Sequence, residues 1–143
     1  MRPVLFITCV LFVCHPVCDG YSEGAPVEAC TALKPLHDSE PETRETPYTF
    51  TAYHDFVDDQ TPIVNVTILG SDRVWFKGFL LQARDNNNDL IGEFIDHRDN
   101  SIFVECSEHD PRSSVTQKRA FPKKSVNFIW KPPVGYTGKV TFR

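Results

Sequence analysis

The chain reads as an all-β protein, an antiparallel β-sandwich with an irregular segment at its N-terminal side. Six apolar-rich runs, Tyr48–His54, Ile63–Leu69, Val74–Ala83, Leu90–Phe94, Ile102–Cys106 and Val126–Trp130, follow one another at sandwich spacing, and a seventh begins at Lys139–Arg143. None holds a 3.6-residue apolar period, so helix is at most a minor component. Clusters of turn formers separate the runs: Gly70-Ser71-Asp72, Asp85–Asp89, Asp99-Asn100-Ser101, and Pro132-Pro133 with Gly135. With 143 residues, 41% hydrophobic content, 11 Phe and 2 Trp, the chain supports one domain with a real core.

The first 20 residues stand apart from that core. Arg2 supplies a positive end, Val4–Val13 a short apolar stretch, and Cys18-Asp19-Gly20 a small-residue end. This is the pattern of a secretory signal peptide, too short for a membrane span, with cleavage expected after Gly20. No later segment approaches membrane-spanning length, so no membrane insertion is expected. Cleavage removes Cys9, Cys14 and Cys18 and leaves Cys30 and Cys106. In an oxidising compartment these most simply form one disulfide, closing a loop of about 75 residues and contributing roughly 4 kcal/mol on the chain-entropy model. An exposed thiol pair is the alternative. Two cysteines without a neighbouring His pair do not complete a zinc site.

From Tyr21 to Thr46, closely spaced prolines (Pro26, Pro35, Pro41, then Pro47) rule out a long helix and indicate an extended lead-in pinned by Cys30. Alternation is clearest in Ile63–Leu69, where Val64, Val66 and Ile68 share one face and Asn65 and Thr67 the other. It recurs in Val126–Trp130, which makes Trp130 a core anchor. Phe76–Arg84 (FKGFLLQAR) is a strand-like apolar run with Gly78 in its interior. Such a glycine usually marks a bulge or a close backbone approach. Trp75, opposite in phase to Phe76 and flanked by Arg73 and Lys77, is the one aromatic expected to face solvent.

The formal net charge is −4, and losing Arg2 and Asp19 with the leader leaves it unchanged. The charge is unevenly spread: residues 21–60 are predominantly acidic, whereas residues 111–143 carry basic side chains and no acidic one. Lys118, Arg119, Lys123 and Lys124 are the candidate patch for an anionic ligand, although the same cations would also serve simply to balance the acidic half. Nucleic acid is not expected of a secreted acidic chain. Asn65-Val66-Thr67 is the sole N-glycosylation sequon with an allowed middle residue, and Asn65 falls on a polar face. Asp85–Asp89 has part of a calcium-loop spacing, but Leu90 replaces the turn glycine and Asp96 the bidentate Glu; an Asn-rich turn accounts for it better. The mature histidines, His37, His54, His97 and His109, are scattered, and no nucleophile motif or cofactor loop is present, so neither an enzyme nor a cofactor or metal is expected.

Several blocks together resemble the reeler (reelin-type) domain. Gly24-Ala25-Pro26 with Cys30, Pro35 and His37 is similar to the family's opening. Phe76–Arg84 and Ile91-Gly92-Glu93-Phe94 resemble its centre, and Cys106 stands where the family has its partner cysteine. Lys124–Trp130, Pro132-Pro133 and Gly138–Arg143 look like its closing strands. The resemblance covers nearly all of residues 21–143 and implies an immunoglobulin-like sandwich, monomeric and extracellular. In two respects the chain departs from the pattern. Gln117 follows Val115-Thr116 where members usually have His, and the chain stops at Arg143, partway into a strand the family continues, so a truncated domain is expected. Members occur as short secreted insect defence proteins, and as front modules of ferric-chelate reductase-like or matrix proteins. Signal, single domain and size look most like the first. This implies innate immunity, a defence response to bacteria, and binding of microbial surface glycolipids or anionic polysaccharides, with a front module of a larger protein as the alternative.

Overall fold

The computed structural model describes residues 21–36, 42–58, 60–96 and 101–143. The expected leader, His37, Pro41, His97 and the Asp99-Asn100 turn lie outside the described residues. The order is α1 (Ala29–Ala32), β1 (Tyr48–Val57), β2 (Thr61–Gly70), β3 (Leu80–Arg84), β4 (Glu93–Asp96), β5 (Ser101–Phe103), β6 (Ser114–Gln117), β7 (Ser125–Lys131) and β8 (Thr141–Phe142). These form two four-stranded sheets, ordered β1-β2-β7-β4 and β5-β6-β3-β8, with antiparallel pairing throughout.

The predicted alternation sets the core. Register pairs Val64 with Trp130, Val66 with Phe128 and Ile68 with Val126, which places these side chains on one face. Val66, Phe128 and Trp130 are sealed there with Phe94. Across the sandwich they meet Phe79 and Phe142, with Phe79–Phe128 centroids at 5.3 Å and Trp130–Phe142 at 5.4 Å, edge-on or tilted. The Trp130 indole N–H donates to the Ile91 carbonyl at 3.1 Å. Gly92 has a left-handed φ of +66° and lies so close to the indole that a Cβ there would fall 2.3 Å from Trp130 Cζ2.

Several boundaries differ from the sequence reading. The Val74–Ala83 run is not one strand. Its ladder begins only at Leu80, and before that a single bridge joins Phe76 to Lys123 through backbone bonds of 3.0 and 2.9 Å. The interior Gly78 marks no backbone crossing. A Cβ there would come within 3.2–3.3 Å of the Gln117 carboxamide, so a side chain makes the close approach. β6 lacks a predicted run, because Ser114, Thr116 and Gln117 look like loop residues; all four of its residues are nevertheless buried between β5 and β3. The Thr116 hydroxyl satisfies itself there by accepting from Ala25 N–H (2.9 Å) and donating to the Phe79 carbonyl (2.6 Å). Ile102–Cys106 is strand only to Phe103, and Cys106 lies beyond it.

β1 is longer than expected and is an edge strand, with every residue exposed. Its Tyr48 and Phe50 still reach the opposing layer through ring contacts with Phe76 and Phe142. The Asp85–Asp89 turn is held by the Asp85 carboxylate, which accepts Asn87 N–H (2.8 Å) and Asp89 N–H (2.9 Å), while Asn88 takes the left-handed φ of 70°.

Candidate functional site

The loop 71–79 leading into β3 and the loop 118–124 leading into β7 abut at one end of the sandwich. The Phe76–Lys123 bridge joins them, and Gly70 N–H adds a bond to the Lys124 carbonyl at 2.9 Å. Phe76 turns inward and is 7% exposed, so its neighbour Trp75 turns outward at 60%. Trp75 is exposed as the sequence reading expected, but it is not the one solvent-facing aromatic: Phe56 at 60% and Tyr53 at 57% are exposed to the same degree on β1. Phe121, in the second loop, is 48% exposed.

The candidate cations Lys118, Arg119, Lys123 and Lys124 do not form one uniform patch. Lys118 and Arg119 are exposed. Lys124 is half-buried and its ammonium donates to the Ser71 carbonyl. Lys123 is a correction to the sequence reading, being only 6% exposed. Its ammonium donates to the carbonyls of Lys77 (2.5 Å) and Phe121 (2.9 Å), with Arg119 O more distant at 3.5 Å. It also lies over the rings of Phe121 (4.9 Å) and Phe76 (5.9 Å). Burial pulls its pKa below the usual lysine range. Lys123 thus acts as a cationic staple between the loops. The cations that join Lys118 and Arg119 from the other loop are Arg73 and Lys77, both exposed. Sequence reasoning placed Lys77 in a strand run and left Arg73 just before it, both away from the C-terminal basic third; only their position beside Trp75 hinted at them.

Beside this surface, a cavity of about 270 Å³ opens between the lead-in segment and the start of β3, lined by Tyr21, Pro26, Leu33, Lys34, Phe79 and Gln117. Gln117 organises it. Its carboxamide oxygen accepts Phe79 N–H at 2.9 Å and its amide donates to the Tyr21 carbonyl at 3.0 Å. Gln117 therefore ties the lead-in to β3.

Cys30 and Cys106 form a disulfide with Cα atoms 5.6 Å apart, joining α1 to the segment after β5. Beneath it, the fully buried Gln82 donates to the Cys30 carbonyl (3.1 Å) and Cys106 Sγ (3.3 Å). The Arg84 guanidinium braces the same carbonyl at 3.1 Å. Asn65 is half-buried in the middle of β2, and its amide donates to the Asp55 carboxylate at 3.0 Å; the Thr67 hydroxyl donates to Asn127 Oδ1 at 2.7 Å. Among the described residues no group of three or more His, Cys, Asp or Glu is placed to hold a metal ion. Among them, too, no helix is long and apolar enough to cross a membrane.

Comparison with known proteins gives this architecture its kin. The chain is 32% identical over 143 residues to Defense protein l(2)34Fc of Drosophila melanogaster, covering 99% of this chain and 84% of that protein. It is 33% identical to the "Putative defense protein" of Bombyx mori, over 94% of this chain and 80% of the relative. A more distant match, the "Putative ferric-chelate reductase 1 homolog" of Drosophila melanogaster, is 30% identical over 84% of this chain but only 19% of that protein. Among solved structures, the human F-spondin reeler domain superposes with a TM-score of 0.53 at 21% identity, covering 68% of this chain and 76% of the other, which supports the fold. The Reeler domain pattern itself matches residues 28–143, and the chain belongs to the reeler domain family.

Proposed function

We propose that this is an extracellular, non-catalytic host-defence protein that binds anionic glycolipids or polysaccharides of microbial surfaces. Its similarity over most of its length to insect proteins named defense proteins supports the defence role. The observation that carries the binding mode is the cation cluster at the junction of loops 71–79 and 118–124. Arg73, Lys77, Lys118 and Arg119 all stand exposed there, in a chain whose formal net charge is −4. Exposed cations attract polyanions through a field that salt screens over about 8 Å at physiological ionic strength. Titration with lipopolysaccharide, at salt between about 50 and 300 mM, should show affinity falling steeply as salt rises. Salt-independent binding, or none, contradicts the reading.

A second reading is that the chain is the front module of a larger extracellular or reductase-like protein. The match to a small fraction of the ferric-chelate reductase homologue favours it. An immunoblot of native fluid and tissue distinguishes the two. A single-domain species below 16.3 kDa once the leader is removed, plus any glycan, fits the defence protein, and a several-fold larger one fits the module.

A further inference from the structure

We infer that loops 71–79 and 118–124 form a membrane-seating face: Trp75 and Phe121 enter the headgroup layer of an anionic lipid surface while Arg73, Lys77, Lys118 and Arg119 meet its phosphates. This rests on the proposed anionic-surface reading and specifies which source of anion the face recognises. Three independent features point to lipid.

The first is placement. Trp75 at 60% and Phe121 at 48% exposure are large apolar groups left outside the core on two abutting segments, while Phe76 between them is sealed in. Single exposed aromatics are ordinary, but two on bridged loops that also carry exposed cations mark a contact surface.

The second is rigidity. Paired backbone bonds between Phe76 and Lys123 fix the loops to each other. The buried Lys123 ammonium bonds the carbonyls of Lys77, which follows the inward Phe76, and of Phe121, which carries one of the outward rings. The Lys124 ammonium clasps Ser71 at the far end of the first loop. The aromatics are therefore held out by the fold, so little ordering has to be supplied on binding.

The third is the combination of chemistries. Within the two loops Asp72 is the sole carboxylate, against the exposed Arg73, Lys77, Lys118 and Arg119. A soluble polyanion needs only the cations. Trp beside Arg and Lys is the composition of a membrane interface, where amphipathic rings sit at headgroup depth and an anionic leaflet attracts nearby cations.

The protein's two tryptophans make the test direct, because Trp130 is 1% exposed and reports a constant dry environment. The wild-type chain is mixed with vesicles of phosphatidylglycerol and phosphatidylcholine, with vesicles of phosphatidylcholine alone, and with a soluble anionic polysaccharide. The expected result is a blue shift of Trp75 emission, and its quenching by headgroup-proximal brominated lipid, with the anionic vesicles only. Trp75→Ala and Phe121→Ala should each lower vesicle partition by about tenfold. Binding to anionic vesicles with unchanged Trp75 emission and unaltered partition of both variants would overturn the seating. So would equal binding to neutral vesicles, or tighter binding to the polysaccharide, although the last leaves the anionic-surface reading intact. No association with any of the anionic partners, lipopolysaccharide included, overturns both.

Discussion

Replacing Lys123 with Met separates a staple from a ligand contact. Methionine keeps most of the apolar stem but withdraws the ammonium from the Lys77 and Phe121 carbonyls and from the faces of two aromatic rings. A buried acceptor left without a donor costs about 1–3 kcal/mol, and a partly exposed cation–π contact contributes about 0.5–1 kcal/mol. Against these losses, Met no longer carries the desolvation penalty that lowers the Lys123 pKa, and water can reach a loop carbonyl. The net expectation is a destabilisation of about 2–3 kcal/mol, which for a domain of this size lowers Tm by roughly 8 °C. Urea unfolding should show a lower midpoint at unchanged slope. Lys124→Met, which removes one bond from a half-buried side chain to Ser71, should cost less than about 1 kcal/mol. If Lys123→Met instead melted within about 2 °C of wild type while lipopolysaccharide binding collapsed, Lys123 would be a ligand residue and the staple reasoning would be wrong.

Other perturbations probe the scaffold around the site. Gly92→Ala forces a Cβ to 2.3 Å from Trp130 Cζ2 at a φ of +66°, so chemical denaturation should show a loss of at least about 3 kcal/mol. At Gly78 the same change meets only the Gln117 carboxamide at 3.2–3.3 Å, and a loss nearer 1–2 kcal/mol (about one perturbed hydrogen bond) is expected; equal effects at the two glycines would contradict this ranking. The Cys30→Ala/Cys106→Ala double variant opens a cross-link between residues 76 apart in sequence and should lose about 4 kcal/mol, read as a fall in Tm under non-reducing conditions. Asn65→Gln in the secreted protein should abolish a mobility shift that deglycosylation removes from wild type; identical migration of all samples would show the sequon unused.

What the sequence made legible was what periodicity encodes. Val64, Val66, Val126, Phe128 and Trp130 announced a two-faced strand pair, and all five are buried where the alternation puts them. The disulfide followed from the cysteines left after the expected leader. β6 was hidden because Ser114, Thr116 and Gln117 are polar residues in a buried strand; the Thr116 and Gln117 side chains are satisfied by bonds to distant segments that no local pattern contains, while the Ser114 hydroxyl is buried without a partner. The strand-like apolar run Val74–Ala83 proved half loop, since Phe76 finds its backbone partner in Lys123 rather than in a neighbouring ladder. The same pairing explains the partial success at the site. Counting cations along the chain found Lys118, Arg119, Lys123 and Lys124, but only the third dimension shows that Lys123 is spent internally. Arg73 and Lys77, nearly fifty residues earlier, face solvent at the same end.

Hydrogen-exchange footprinting of the wild-type protein with and without lipopolysaccharide tests the central claim most directly. The account predicts added protection in peptides covering residues 71–79 and 118–124, lost at high salt, with the strands of the core unchanged. Protection confined to the exposed β1 strand or to the cavity beside Gln117, or no protection at saturating ligand, would contradict it.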